Sequence, residues 1–295
     1  MARGMNRGLW LGAGAYILWG LLPLYLKLLT GVPAVQVLAH RVVWSLLLLA
    51  IVVVVLGRLR TVRAAARGRT LVLLGASATL IAINWLTYIW AVQHAHVLEA
   101  SLGYFINPLV NVALGVAVLG ERVSRVQRVA VGIAAAGVLM MALSGGGAIW
   151  ISLVLAVSFG LYGLIRKVAA IDALGGLTIE TLLLAPLSLV VLAYAGAAGN
   201  AAFGQERSVD LLLILAGPVT AAPLLLFAAA ARRLTLATLG LLQYLGPTLQ
   251  FAEAVLIFGE PLRPVHLVTF AAIWTGCALY AWDAWRQSRM VVAVA

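Results

Sequence analysis

Charge is scarce in this sequence. Only 10% of its 295 residues are Asp, Glu, Lys or Arg, while 64% are hydrophobic. Soluble domains carry roughly 25% charged residues. A water-soluble globule of this length could not cover its surface with so few charges, which sets aside the soluble-enzyme, nucleic-acid-binding and disordered classes. Acidic residues, nine in all, are outnumbered by twenty Lys and Arg, and the formal net charge is +11. In a soluble chain that excess would suggest nucleic acid. Here the basic residues punctuate apolar runs, where orientation in a membrane accounts for them, and no nucleic-acid partner is expected. A single cysteine, Cys277, excludes an internal disulfide and a cysteine metal cluster. The sequence has no phosphate-binding Gly-x-x-x-x-Gly-Lys-Ser/Thr loop, nucleophile elbow or zinc-protease motif, which argues against an ATP-driven pump and against hydrolases. His94 and His96 stand two apart and fall on different helix faces, so neither a metal nor a cofactor is expected.

What the sequence does have is long apolar runs. They read as ten helices near 9–29, 35–56, 71–93, 98–119, 129–144, 148–165, 176–196, 210–231, 236–258 and 266–283. A membrane helix needs about 20 apolar residues, and an unsatisfied backbone is not tolerated in lipid. The runs are too continuously apolar for barrel strands. Arg3 and Arg7 resemble a signal-peptide n-region, but the run behind them has the length of a spanning helix. The predicted fold is therefore an all-α integral membrane protein of ten transmembrane helices. Its weakest division is Ser144-Gly145-Gly146-Gly147.

With the N-terminus inside, sixteen of the twenty basic residues fall on the cytoplasmic side, leaving Lys27, Arg41, Arg207 and Arg263 outside. That bias predicts an even number of helices with both termini in the cytoplasm. The halves also match at an offset of about 140: Leu18-Trp19-Gly20-Leu21 with Ser158-Phe159-Gly160-Leu161, Lys27 with Lys167, Pro108 with Pro247, and Gly120-Glu121 with Gly259-Glu260. Five helices per half is an odd number, so the second copy must enter the membrane inverted. The expected organisation is a first repeat over 1–145, an inverted second repeat over 146–285 and a cytoplasmic tail over 286–295. Inverted repeats are a hallmark of secondary transporters, which bind substrate near the midplane.

The run Asn84-Trp85-Leu86-Thr87-Tyr88-Ile89-Trp90, followed by Leu98-Glu99-Ala100-Ser101-Leu102-Gly103-Tyr104-Phe105-Ile106-Asn107-Pro108, resembles the RarD-type branch of the EamA family. That family lies within the drug/metabolite transporter superfamily. Ala39-His40-Arg41-Val42-Val43-Trp44-Ser45 and Leu242-Gln243-Tyr244-Leu245-Gly246-Pro247-Thr248 are similar to its other signatures. The resemblance covers roughly 8–285 and implies a ten-helix permease of a bacterial-type inner membrane, an exporter with no firmly assigned substrate.

Ionisable and amide groups inside a bilayer ask for a partner or a wet cavity. Glu99, Gly103, Asn107 and Asn111 recur every four residues on one face, flanked by Tyr104 and Pro108. Gln243, Gly246, Gln250 and Glu253 form a second stripe, with Tyr244 beside it, and Asn84 and Tyr88 form a third pair. Paired stripes on equivalent helices suggest a cavity for a small-molecule substrate; helix-to-helix glue is the alternative. Pro108 and Pro247 are candidate hinges. Lys27, Arg41 and Glu99 at outer helix ends, and Lys167 and Glu180 at inner ends, are candidate gates or interior ion pairs. Glu99 reads as a structural or gating anion, whereas Glu253 is the candidate for proton coupling or for a substrate cation. Glu121 and Glu260 read as turn residues, and Ser124 with Gln127 as a capping box. The leading function is a secondary transporter of small organic solutes or drugs working by alternating access. The alternative, a membrane-embedded enzyme acting on lipids, would need an acid/base pair or metal cluster that the sequence does not offer. No catalytic residue is expected.

Overall fold

The computed structural model describes residues 2–120, 124–144, 148–169, 171–231, 233–234 and 242–294. Every regular element among them is helical. Nine segments are long and apolar enough to cross a membrane, and the shorter apolar helix Leu245–Ile257 follows among the described residues. The chain is an all-α integral membrane protein. In order, the elements are α1 (Ala2–Gly20), α2 (Leu22–Lys27), α3 (Ala34–Val55), α4 (Leu59–Ala65), α5 (Gly68–Gln93) and α6 (Val97–Leu119). They continue with α7 (Arg125–Leu143), α8 (Ile149–Val168), α9 (Ala173–Ala197), α10 (Arg207–Ala231), α11 (Leu245–Ala252) and α12 (Pro264–Val294). Glu121, Arg122, Arg232, the division at 145/146 and the start of the predicted span 236–258 lie outside the described residues.

Several helices begin earlier than hydropathy places them, because their first turns are capped by polar groups that an apolar window does not detect. The Gln127 amide donates to Ser124 Oγ at 3.1 Å and the Ser124 amide donates to Gln127 Oε1 at 3.0 Å, forming the predicted capping box of α7. The Gly175 amide donates to Asp172 Oδ1 at 3.0 Å at the start of α9. Gly120 and Gly259, with φ of 66° and 65°, occupy the left-handed region in which a side chain would be strained. The tail expected at 286–295 continues α12 as far as Val294.

Two predicted spans depart from a continuous α-helix. The run 9–29 breaks at Leu21, and Pro23 lies in the first turn of α2. Proline has no N–H for the carbonyl four residues back, that of Trp19. The Gln250 side chain replaces it, Nε2 donating to the Trp19 carbonyl at 3.1 Å. After α11 the chain widens into a π turn over Glu253–Ile257, closed by the Phe258 amide donating to the Glu253 carbonyl at 2.8 Å. Such π insertions often mark functional sites.

Neighbouring helices pair as α7 with α12, α6 with α8, α3 with α9, α10 with both α1 and α3, α5 with both α8 and α9, and α11 with both α1 and α6. Small residues set the closest approaches, as membrane helices require. A Cβ on Gly276 would stand 2.6 Å from the Ala130 carbonyl oxygen, and one on Gly137 would stand 2.8 Å from Ala272 Cβ. Outward faces carry large apolar side chains, among them Leu256, Val55 and Leu187, which suit contact with lipid.

Gly276→Leu should therefore force α7 and α12 apart at a cost of about 1–3 kcal/mol. Gly132→Leu, on the same helix pair with nothing within 4 Å of its Cβ position, should be tolerated. Thermal unfolding of the detergent-solubilised protein should show a lower Tm for Gly276→Leu alone; equal values would contradict the close α7–α12 approach.

Candidate functional site

α3 carries Arg41 into the interior, where it is 5% exposed. Its Nε donates to Thr220 Oγ1 of α10 at 2.8 Å, and its guanidinium lies 4.4 Å from the centre of the Trp85 ring. Nη1 has no hydrogen-bond partner. Arginine stays charged in proteins, and burying an ion costs several kcal/mol. A cation–π contact returns at most about 2 kcal/mol and one hydrogen bond about 1 kcal/mol. The contacts formed therefore leave Arg41 under-compensated. Tyr25, Tyr88 and Tyr104 lie within its electrostatic reach. Tyr25 Oη donates to the Leu212 carbonyl at 2.7 Å and Tyr104 Oη to Asn84 Oδ1 at 3.1 Å. Tyr88 packs 5.5 Å from the Tyr104 ring, and its own hydroxyl is buried without a partner.

Tyr88 is also in electrostatic reach of Glu253, the first residue of the π turn. Glu253 is 3% exposed, and both its carboxylate oxygens lack hydrogen-bond partners. Gln250, three residues before it, leaves Oε1 unpartnered while Nε2 holds the Trp19 carbonyl. Asn107 follows Tyr104 by three on α6, so the two share a face, and its Oδ1 is likewise buried and unpartnered. Buried polar groups normally find partners. Four helices thus present a run of unsatisfied groups: Arg41, Tyr88, Asn107, Gln250 and Glu253.

The remaining residues of the predicted site are arranged differently. Asn84 is helix glue, its Nδ2 donating to the Leu155 carbonyl and to Ser158 Oγ, both at 3.0 Å. Asn111 is exposed, with Oδ1 beside Gly163 at the edge of the α6–α8 contact. Gln243 is half-buried in the turn before α11, and Tyr244 stacks 6.3 Å from Phe105. Pro108 lies within an unbroken α6, and its side chain lies outside the described residues. Pro247 is buried at the third position of α11.

The charges at the helix ends take other partners than their depth suggested. Glu99 meets His96 Nδ1 at 3.4 Å, not Arg41, and Lys27 lies over Phe258 at 5.2 Å. Glu180, wholly buried, meets Arg166 at 3.7 Å, accepts a 2.5 Å hydrogen bond from Ser77 Oγ and a longer one from Tyr162 Oη at 3.4 Å. Lys167, the neighbour of Arg166, is exposed. Glu260 is structural, as its place after α11 suggested: its two oxygens accept the Val97 and Leu98 amides at 2.8 and 2.7 Å, capping α6 from across the bundle. His94 and His96 stack against Trp90 at 4.3 and 5.7 Å. An open groove of about 440 Å³ lies apart from the buried polar groups, lined by residues that include Arg58, Thr61, Thr70 and Asp172.

Sequence reasoning missed Arg166, Ser77, Thr220 and Trp85. Arg166 stood beside the lysine singled out by the repeat, and the other three carry no signal until helices are paired.

A bundle of membrane-crossing helices with charged and amide groups buried in its interior defines a multi-pass membrane protein with a polar core. Residues 6–143 match the EamA-like transporter family. An uncharacterized transporter of Pseudomonas aeruginosa is 49% identical, covering 97% of this chain and 96% of that one. Protein RarD of Streptomyces exfoliatus is 46% identical, covering 96% and 90%. A solved crystal structure shares the fold with a TM-score of 0.63 at 20% identity, covering 95% of this chain and 97% of that one. The chain belongs to the EamA family as a RarD-type permease.

Cysteines placed at Asn107, Gln243 and Gln250, after Cys277 is replaced, should react with small polar thiol reagents in membranes, the outcome expected of residues that line a water-accessible cavity. A cysteine at Ala100, which is 0% exposed in the apolar core, should stay protected. Protection at all three test positions would leave helix packing as their role.

Proposed function

We propose that this permease is a secondary transporter that moves small organic solutes by alternating access, outward as the family resemblance implies. The observation that carries this reading is the buried, under-compensated polar run from Arg41 to Glu253. A bundle that only packed would be more stable with apolar side chains there.

The two-repeat organisation, 1–145 and an inverted 146–285, is supported by the helix pairings. Exchanging each helix for its counterpart about 140 residues away preserves the pattern. α6 beside α8 answers to α11 beside α1, α5 beside α8 to α10 beside α1, and α5 beside α9 to α10 beside α3. α7 with α12 and α3 with α9 map onto themselves. Individual contacts follow suit: a Cβ on Gly160 would meet Val110 at 2.6 Å, and one on Gly20 would meet Leu249 at 2.7 Å. Arg41 and Glu180 occupy matching places and are both buried, on helices that pack together. In such an architecture the substrate sits between repeats and opposite ends open in turn.

Reporter tags at both termini are expected on the cytoplasmic side of a bacterial inner membrane, given the distribution of arginines. One terminus outside would remove the five-plus-five arrangement. Flux should be measured in proteoliposomes across a panel of small solutes, with and without a proton gradient. Protein-dependent, saturable flux of at least one solute is the expected result, and its absence across a broad panel would count against transport.

A further inference from the structure

Away from the buried polar run, one end of the bundle is rich in arginine. Residues 58–69 carry five, at 58, 60, 63, 67 and 69, and the chain has no Asp or Glu before Glu99. Val62 is the buried residue of α4 and packs with Val53, Leu74 and Ile179, which fixes this short helix against α3, α5 and α9. Arg60 and Arg63 on α4 are exposed, as are Arg67 and Arg69 beyond it. These four form no ion pair among the described residues. Arg58 does, its Nη2 donating to Asp172 Oδ2 at 2.7 Å. Between α4, the first turn of α5 and the start of α9 runs the open groove of about 440 Å³. Small-ligand sites enclose about 300–1,000 Å³, so the groove is large enough to hold one. Its polar lining is Arg58, Thr61, Thr70 and Asp172, and Ala65 and Ile171 add an apolar wall. The adjoining ends of α3 and α5 turn apolar side chains outward, with Val55 76% and Val72 72% exposed. Such side chains suit hydrocarbon, so the groove and its arginines stand where the chain leaves the lipid interior.

We infer that this groove binds the headgroup of an anionic phospholipid, with Arg58 as the central contact to its phosphate. The site does not depend on the transport reading. An arginine fork matches two phosphate oxygens, and the hydroxyls of Thr61 and Thr70 are donors for a third. Arg60 stands next to Thr61 in the chain and Arg69 next to Thr70, so exposed cations flank the lining residues. Clustered arginines at a membrane surface favour a headgroup of net negative charge over a zwitterionic one. A lipid fits better than a free phosphate because the groove adjoins outward-facing apolar helix ends, along which acyl chains can lie. Asp172 is the one acid in the lining. It holds Arg58 and repels the phosphate, and so limits how tightly the headgroup is bound.

Dissociation constants are to be measured by native mass spectrometry of the purified full-length protein, titrated with dioleoyl-phosphatidylglycerol, dioleoyl-phosphatidylcholine and glycerol 3-phosphate. Phosphatidylglycerol should bind about tenfold or more tighter than phosphatidylcholine, the size expected when several arginines act on one net charge. Arg58→Gln should weaken phosphatidylglycerol about tenfold, as the loss of a charge-assisted hydrogen bond does. Asp172→Asn should tighten it several-fold, since asparagine keeps the cap of α9 and removes the opposing charge. Misfolding cannot produce a gain in affinity, so the two variants together separate a lost site from a lost fold. The double variant Arg125→Gln/Arg128→Gln removes two exposed charges at the start of α7, outside the groove lining, and should bind nearly as the parent does. Equal binding of the two phospholipids, undiminished binding by Arg58→Gln, or no gain in Asp172→Asn overturns the inference. So does an equal loss in the α7 double variant, which would report diffuse surface charge in place of a site. Glycerol 3-phosphate binding as tightly as phosphatidylglycerol overturns it too, because the ligand would then be a soluble phosphate.

Discussion

No backbone amide or carbonyl can be left without a partner inside a bilayer, and most of the architecture follows from that requirement. It makes every regular element among the described residues a helix, and it governs how each helix begins and ends. α7 begins on a reciprocal Ser124–Gln127 cap and α9 on Asp172. The first amides of α6 have no local cap, and the Glu260 carboxylate from the far half of the chain accepts two of them. Where Pro23 deprives the Trp19 carbonyl of its helical donor, Gln250 supplies one. In both cases a backbone debt on one helix is met by a side chain of another, which ties the two halves of the chain together at the places where a helix alone would be incomplete.

Between those ties the helices hold by contact. The hydrophobic effect does little to join helices already surrounded by hydrocarbon, so their association depends on how closely the backbones approach. Glycines face a neighbouring helix at 137, 160 and 276, each with a partner atom where a Cβ would stand. The polar interior contrasts with this close packing. Glu180 faces Arg166 at 3.7 Å, and its two carboxylate oxygens accept hydrogen bonds from Ser77 and Tyr162. Arg41 and Glu253 are buried as deeply and are not settled in this way. On the transport reading proposed above, a carboxylate whose oxygens already have partners is structural, and one without them is where a solute would bind.

The membrane class, the approximate spans and the turn glycines were legible in the sequence because each is a local property: a run of about twenty apolar residues, a cap, a residue free to take positive φ. So was the polar character of the interior, since an amide or acid at membrane depth stands out against its neighbours. The partners were not legible. Glu99 and Arg41 share a depth yet pair elsewhere, and Glu180 takes Arg166 where the repeat had pointed to Lys167. Asn84, Asn107 and Asn111 look alike in sequence, yet one is glue, one is buried and unsatisfied, and one is exposed. Depth along a helix can be counted from residue numbers. Rotation about its axis is set by packing against neighbours from distant parts of the chain, and only the tertiary structure decided which polar faces meet.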